Sequence, residues 1–136
     1  MIEQTIEKWH SFVNDQQPKI LDELLAEDVV FYSPVTFKAQ QGKALTTMYL
    51  TAAAATFTAS GIFNYTKEVL SGNQAVLEFE SELEGIYING VDIITCDENG
   101  QITEFKVMIR PLQAVNVLHK QMKEMLLKRR KLNDEN

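Results

Sequence analysis

Ala75-Val-Leu-Glu-Phe-Glu-Ser-Glu-Leu-Glu84 alternates without a break. Leu77, Phe79, Ser81 and Leu83 fall on one side, and Glu78, Glu80, Glu82 and Glu84 on the other. A period of two marks a strand with one buried and one wet face. Ser71-Gly72-Asn73 just before it reads as a hairpin turn, with Ile62–Leu70 as the partner strand. Ile86–Cys96 follows, with a bulge expected at Asn89-Gly90. Asp97-Glu-Asn-Gly100 is a turn, and Gln101–Arg110 alternates again with Phe105, Val107 and Ile109 on one face. A four-stranded antiparallel meander is the expectation.

Around the meander the period lengthens. Ile2, Ile6, Trp9 and Phe12/Val13 recur at helical spacing over residues 2–14. Asp15-Gln-Gln-Pro18 ends that helix, and Pro18 opens a second one with Ile20, Leu21, Leu24 and Leu25 inward. Asp28–Val35 is rich in β-formers and stops near Pro34; Lys43–Phe57 is an uncharged, Ala-rich helix beyond its first residue. Pro111 ends the last strand, and Leu112, Val115, Leu118, Met122, Met125 and Leu126 form the stripe of a final helix. Residues 1–132 form one expected domain, with Asn133–Asn136 frayed. Helices segregated from a meander give an α+β fold. Its expected form is a cone-shaped, curved antiparallel sheet, with N-terminal helices over the concave face and a C-terminal helix.

Composition excludes several function classes. A lone Cys96 rules out an internal disulfide and a Cys-based zinc cluster, and His10 and His119 lack ligand spacing, so no metal is expected. The six glycines are scattered, so no phosphate-binding loop is formed. The net charge of −6 argues against nucleic acid. The charge is uneven: residues 120–136 carry six Lys and Arg against three Asp and Glu, which suits the solvated end of a helix. A contact of that tail with an anionic surface or nucleic acid is the alternative. The uncharged stretch Ala44–Thr66 holds six threonines, and a helix followed by a strand fits it better than a membrane span. Met1-Ile-Glu-Gln lacks the features of a signal peptide, so a cytoplasmic protein without a membrane partner is expected.

Asp92 is the most informative single residue. It lies in Gly90-Val-Asp-Ile-Ile-Thr-Cys96 and shares a face with Ile94 and Cys96. Ionising a carboxyl on an apolar face is costly, so its pKa should rise and it becomes a candidate acid or base. A backbone bond or a solvated rim is the bland alternative. Trp9, the single tryptophan, is expected to fill core, with its indole N–H directed into a pocket. His10, beside it, suits a surface or an interface. Ser33 has no histidine base, and nothing marks Cys96 as a thiolate. Arg110 and Lys106 share a face that can pair with the glutamate row; the other role for Arg110 is a clamp at a pocket rim.

The chain also resembles the nuclear transport factor 2-like superfamily, in its SnoaL-like and ketosteroid isomerase-like branch. The likeness is carried by the helix around Trp9, by Leu24-Leu-Ala-Glu-Asp-Val-Val-Phe-Tyr-Ser-Pro34, by Gly42-Lys43 and by Val91-Asp92 leading to Asp97-Glu-Asn-Gly100. Gln101-Ile-Thr-Glu-Phe-Lys-Val-Met-Ile-Arg110-Pro111 completes it. The resemblance implies a nuclear transport factor 2-like, or cystatin-like, α+β barrel with one apolar pocket. It also implies a homodimer through the sheet and no metal or organic cofactor. Members include isomerases, cyclases, dehydratases, epoxide hydrolases and non-catalytic binders. Steroid isomerases place an aspartate base where this chain has Ser33, and a tyrosine where it has Trp9; their second, protonated aspartate matches Asp92. An epoxide hydrolase arrangement needs an inward arginine between two carboxylates, and Arg110 has outward parity. The expected ligand is a small apolar molecule held by Trp9, Phe31, Ser33, Tyr49, Phe79, Ile94, Phe105 and Val107, with Asp92 as acid or base. A non-catalytic ligand-binding or dimerisation module is the alternative.

Overall fold

A computed structural model describes residues 2–134, and side chains through Lys128. Two helices, α1 (Ile2–Asp15) and α2 (Pro18–Leu24), lead into β1 (Leu25–Tyr32) and the two-residue β2 (Gln40–Gln41). Helix α3 (Lys43–Thr58) precedes the meander of β3 (Phe63–Ser71), β4 (Gln74–Leu83), β5 (Ile86–Cys96) and β6 (Ile102–Arg110). Helix α4 (Leu112–Asp134) ends the described chain. The strands make one curved sheet in the order β2-β1-β6-β5-β4-β3.

The meander is antiparallel, as expected, but the whole sheet is not. β1 joins β6 in parallel, because the chain crosses from β1 to the far edge through α3 before the meander begins. β1 also starts at Leu25 rather than Asp28 and stops before Val35, since Leu25 and Ala26 are already buried. The expected bulge at Asn89-Gly90 does not form. β4 and β5 pair in unbroken register from Gln74↔Thr95 to Leu83↔Ile86. Gly90 serves packing instead: a Cβ there would lie 2.5 Å from Phe79 Cζ and 2.9 Å from the Met108 carbonyl oxygen. The ring of Phe79 rests on bare backbone.

Bulges occur elsewhere, and the one in β3 matters most. The β3–β4 register shifts between Tyr65 and Lys67. Below the shift Glu68 faces Leu77; above it Tyr65 faces Phe79 and Phe63 faces Ser81. The extra residue turns Phe63 and Tyr65 onto the concave face.

That face carries the core. Phe12, Phe31, Phe79 and Phe105 are among its largest fully buried side chains. Helix α1 buries Ile2, Thr5, Ile6, Trp9, Phe12 and Val13, and Thr5 Oγ1 donates to the Gly100 carbonyl at 2.7 Å, pinning α1 to the β5–β6 turn. Helix α3 packs on β1 and α4. The buried stripe of α4 is Ala114, Val117, Leu118 and Met122; Leu112 is exposed and Val115 only half-buried, so the expected stripe is rotated by about one position. The helix runs through Asp134; Glu135 and Asn136, which complete the expected frayed end, lie outside the described residues. No helix among the described residues is long and apolar enough to cross a membrane.

Candidate functional site

The β4–β5 register, unbroken, and the β5–β6 register, regular from Asn89 to Thr95, lay Leu77, Asp92 and Val107 in one row across the concave face. Asp92 is 5% exposed and has apolar neighbours on both sides. It lines a cavity that is walled by Trp9 and Val13 of α1, by the second half of α3, and by Phe79, Phe105 and Val107 of the sheet. The cavity has about 370 Å³ of space between atoms, counting its mouth, of which about 30 Å³ admits the centre of a water molecule. That is room for one or two waters, and at the lower end of ligand-pocket sizes even when the mouth is counted. A ligand must displace side chains to enter.

Tyr65 supplies the polar contact. Its hydroxyl donates to Asp92 Oδ2 at 2.7 Å and accepts from Trp9 Nε1 at 2.8 Å. An indole can only donate, so the direction of the chain is fixed as Trp9 to Tyr65 to Asp92. Burial pushes the Asp92 carboxyl up from 3.8 to about 7, and the Tyr65 bond pulls the other way. Burial, with the Asp92 charge and bond beside it, pushes the Tyr65 phenol well above its ordinary value, so Tyr65 keeps its proton. Near neutral pH Asp92 exists in both forms. Protonated, it can donate to a ligand oxygen; ionised, it can take a proton.

Of the residues expected from sequence, Trp9, Phe79, Asp92, Phe105 and Val107 meet at this cavity. Phe31 and Tyr49 lie outside its wall: the Tyr49 ring packs tilted against Phe31 at 5.6 Å, and Phe31 against Phe105 at 6.1 Å. Ile94 is fully buried beside Phe105 on the neighbouring strand. Ser33 is half-buried in the turn after β1, where its Oγ accepts from the Val35 amide at 3.2 Å. Arg110 is exposed and donates to Asn89 Oδ1 at 3.4 Å. It meets the glutamate row only through Asn89, whose amide donates to Glu78 Oε2 at 3.0 Å. Lys106 pairs with Glu104 and lies over the Tyr32 ring. His10 sits at the rim, bonded to Glu68 and edge-on to Tyr65 at 5.0 Å. Tyr65 and Phe63 of β3, Val13 of α1, and Leu50, Ala53, Ala54, Phe57 and Thr58 of α3 line the cavity too and were not picked out from the sequence.

A family model for the SnoaL-like domain matches residues 6–105, a span holding both Trp9 and Asp92. The chain belongs to the SnoaL-like domain family. Among solved structures, this SnoaL-like chain is similar to a steroid delta-isomerase from Pseudomonas aeruginosa. The two are 29% identical with a TM-score of 0.87, over 93% of this chain and 92% of that one. It is also similar to an uncharacterised protein with a cystatin-like fold from Silicibacter pomeroyi: 30% identity and TM-score 0.80, over 88% and 83% of the two chains. The epoxide hydrolase/cyclase-like enzyme SalBIII, which acts in pyran ring formation in salinomycin, shares the fold at 14% identity and TM-score 0.64, over 80% and 90%. No curated protein matches the SnoaL-like chain by sequence.

Proposed function

We propose that the protein binds a small, uncharged, largely apolar molecule bearing a carbonyl or hydroxyl group, and that Asp92 acts on it as general acid or base. One observation carries this reading: the Tyr65–Asp92 pair, 2.7 Å apart, is the ionisable part of an otherwise apolar cavity. A carboxyl held near neutrality in such surroundings is suited to proton transfer at pH 7. Among the described residues neither Lys nor Arg lines the cavity, so an anionic ligand would meet no counter-charge from them. The reaction class is isomerisation, cyclisation or dehydration of a carbonyl compound, and the similarity to a steroid delta-isomerase supports it.

A second reading, ligand binding without turnover, is favoured by a specific observation. Ser33 stands where that mechanism needs a base, and its hydroxyl is engaged with Val35. The two readings part in one experiment: deuterium incorporation next to the carbonyl of a cyclic ketone, followed by NMR. Exchange that is accelerated by the wild type and lost in Asp92→Asn supports acid–base chemistry. Binding of the ketone without exchange supports the second reading.

The expected dimer belongs to the same proposal. On the convex face Val76, Val91, Ile93 and Met108 adjoin across β4, β5 and β6, with Met108 51% exposed. A second copy of the chain covering this stripe would remove it from water.

A further inference from the structure

We propose that Gln16 and Thr58 form a latch at the mouth of the cavity that sets the length of ligand it takes. This rests on the reading of the cavity as a ligand site.

The two ends of the cavity can be located along α1. Trp9 marks the Asp92 end, because its Nε1 bonds Tyr65. Val13, one turn further, lines the wall. Gln16 follows the last turn of α1, about 10 Å from Trp9 at the helical rise. Its side-chain amide donates to Thr58 Oγ1 at 2.9 Å. Thr58 is the last residue of α3 and itself lines the cavity. Its hydroxyl also donates to the Ala54 carbonyl at 2.7 Å, so the acceptor atom is held in place by its own helix. The bond therefore joins the C-terminal ends of α1 and α3, the two helices that wall one side.

The position of Gln16 is fixed from its backbone. It has φ 52°, the left-handed region that non-glycine residues seldom occupy, and its amide bonds the Phe12 carbonyl as a helix cap. Gln16 and Thr58 are both half-buried; Thr58 lines the cavity and Gln16 lies behind it, outside the wall. A molecule anchored at Asp92 and shorter than about 10 Å stops short of the bond once the cavity side chains have moved aside to admit it. A longer one must break it.

A series of para-alkylphenols tests this, with affinity read by calorimetry and by fluorescence of Trp9, the single tryptophan. The hydroxyl suits the Asp92–Tyr65 end, and the alkyl chain measures the depth. Each buried methylene should tighten binding about fourfold until the chain meets the latch, after which the gain stops. In Gln16→Ala and in Thr58→Val the break should move out by two or more methylenes. Thr58→Ser, which keeps the hydroxyl, should behave as the wild type. A break at the same length in all four proteins overturns the latch and leaves the ligand site standing. Absence of binding by every phenol to every protein overturns the ligand site, and the latch with it.

Discussion

Replacing Asp92 by Asn should make the protein more stable at pH 8 while leaving it almost unchanged at pH 4. Asn keeps the shape and can still accept the Tyr65 hydrogen bond, but it cannot ionise. In the folded wild type Asp92 holds its proton up to about pH 7, against an ordinary value of 3.8. The unfolded chain has already released that proton above about pH 4. Between these values the native state binds the extra proton, so wild-type stability falls as pH rises, by about 1.4 kcal/mol per pH unit. The loss is complete above the folded value and totals about 4 kcal/mol. Asn lacks that loss. Urea unfolding of both proteins from pH 4 to 8 gives the difference directly, and subtracting the two curves cancels every other titrating group. The gap should open with pH and reach about 4 kcal/mol at pH 8, which in a thermal melt at that pH corresponds to roughly 10–15 °C. A gap that is constant with pH, or one that closes as pH rises, would refute a carboxyl buried in its protonated form.

Three other expectations follow from the same geometry. Tyr65→Phe strips Trp9 Nε1 and Asp92 Oδ2 of their partner, at a cost of about 1–3 kcal/mol. It also removes the one influence holding Asp92 down, so carbon-13 titration of the Asp92 carboxyl should place it higher than in the wild type. Gly90→Ala forces a Cβ against the Phe79 ring and the Met108 carbonyl and should cost about 1–3 kcal/mol in urea unfolding; an unchanged midpoint would mean that the ring moves freely. Met108→Glu puts a charge at the exposed β6 end of the convex apolar stripe, and sedimentation should show a dimeric wild type and a monomeric variant.

The sheet was legible wherever each strand alternates cleanly. β4 shows its buried and wet faces residue by residue, and that pattern alone puts Phe79 inside. Asp92 was legible for the same reason, since β5 alternates along its length and pairs with β4 in unbroken register. Tyr65 was not. Counting back from the hairpin at 72–73 without a bulge, Tyr65 would face Glu80 and point to the convex side with the glutamates. The shift between Tyr65 and Lys67 makes it face Phe79 instead. β3 is an edge strand with mostly exposed residues, so its own pattern does not announce the flip. The parallel β1–β6 pairing was hidden for another reason: it joins segments more than 70 residues apart, and local periodicity carries no information about which strands become neighbours. The placement of Ser33 turned on a single hydroxyl, which satisfies its own turn.

That parallel pairing also bears on how the protein folds. The meander from β3 to β6 is knit by neighbours in sequence and can form early, whereas β1 pairs with β6 only by closing a long loop. The cavity lies beside this seam, between the meander and the helices α1 and α3, with no β1 residue in its wall. α1 and α3 come from the part of the chain before the meander, and Tyr65, Phe79, Asp92 and Val107 from the meander itself. A bound molecule would touch both parts at once and bind only when they are joined. Its binding energy would then favour assembly by mass action, and amide hydrogens at the β1–β6 seam would exchange more slowly in its presence.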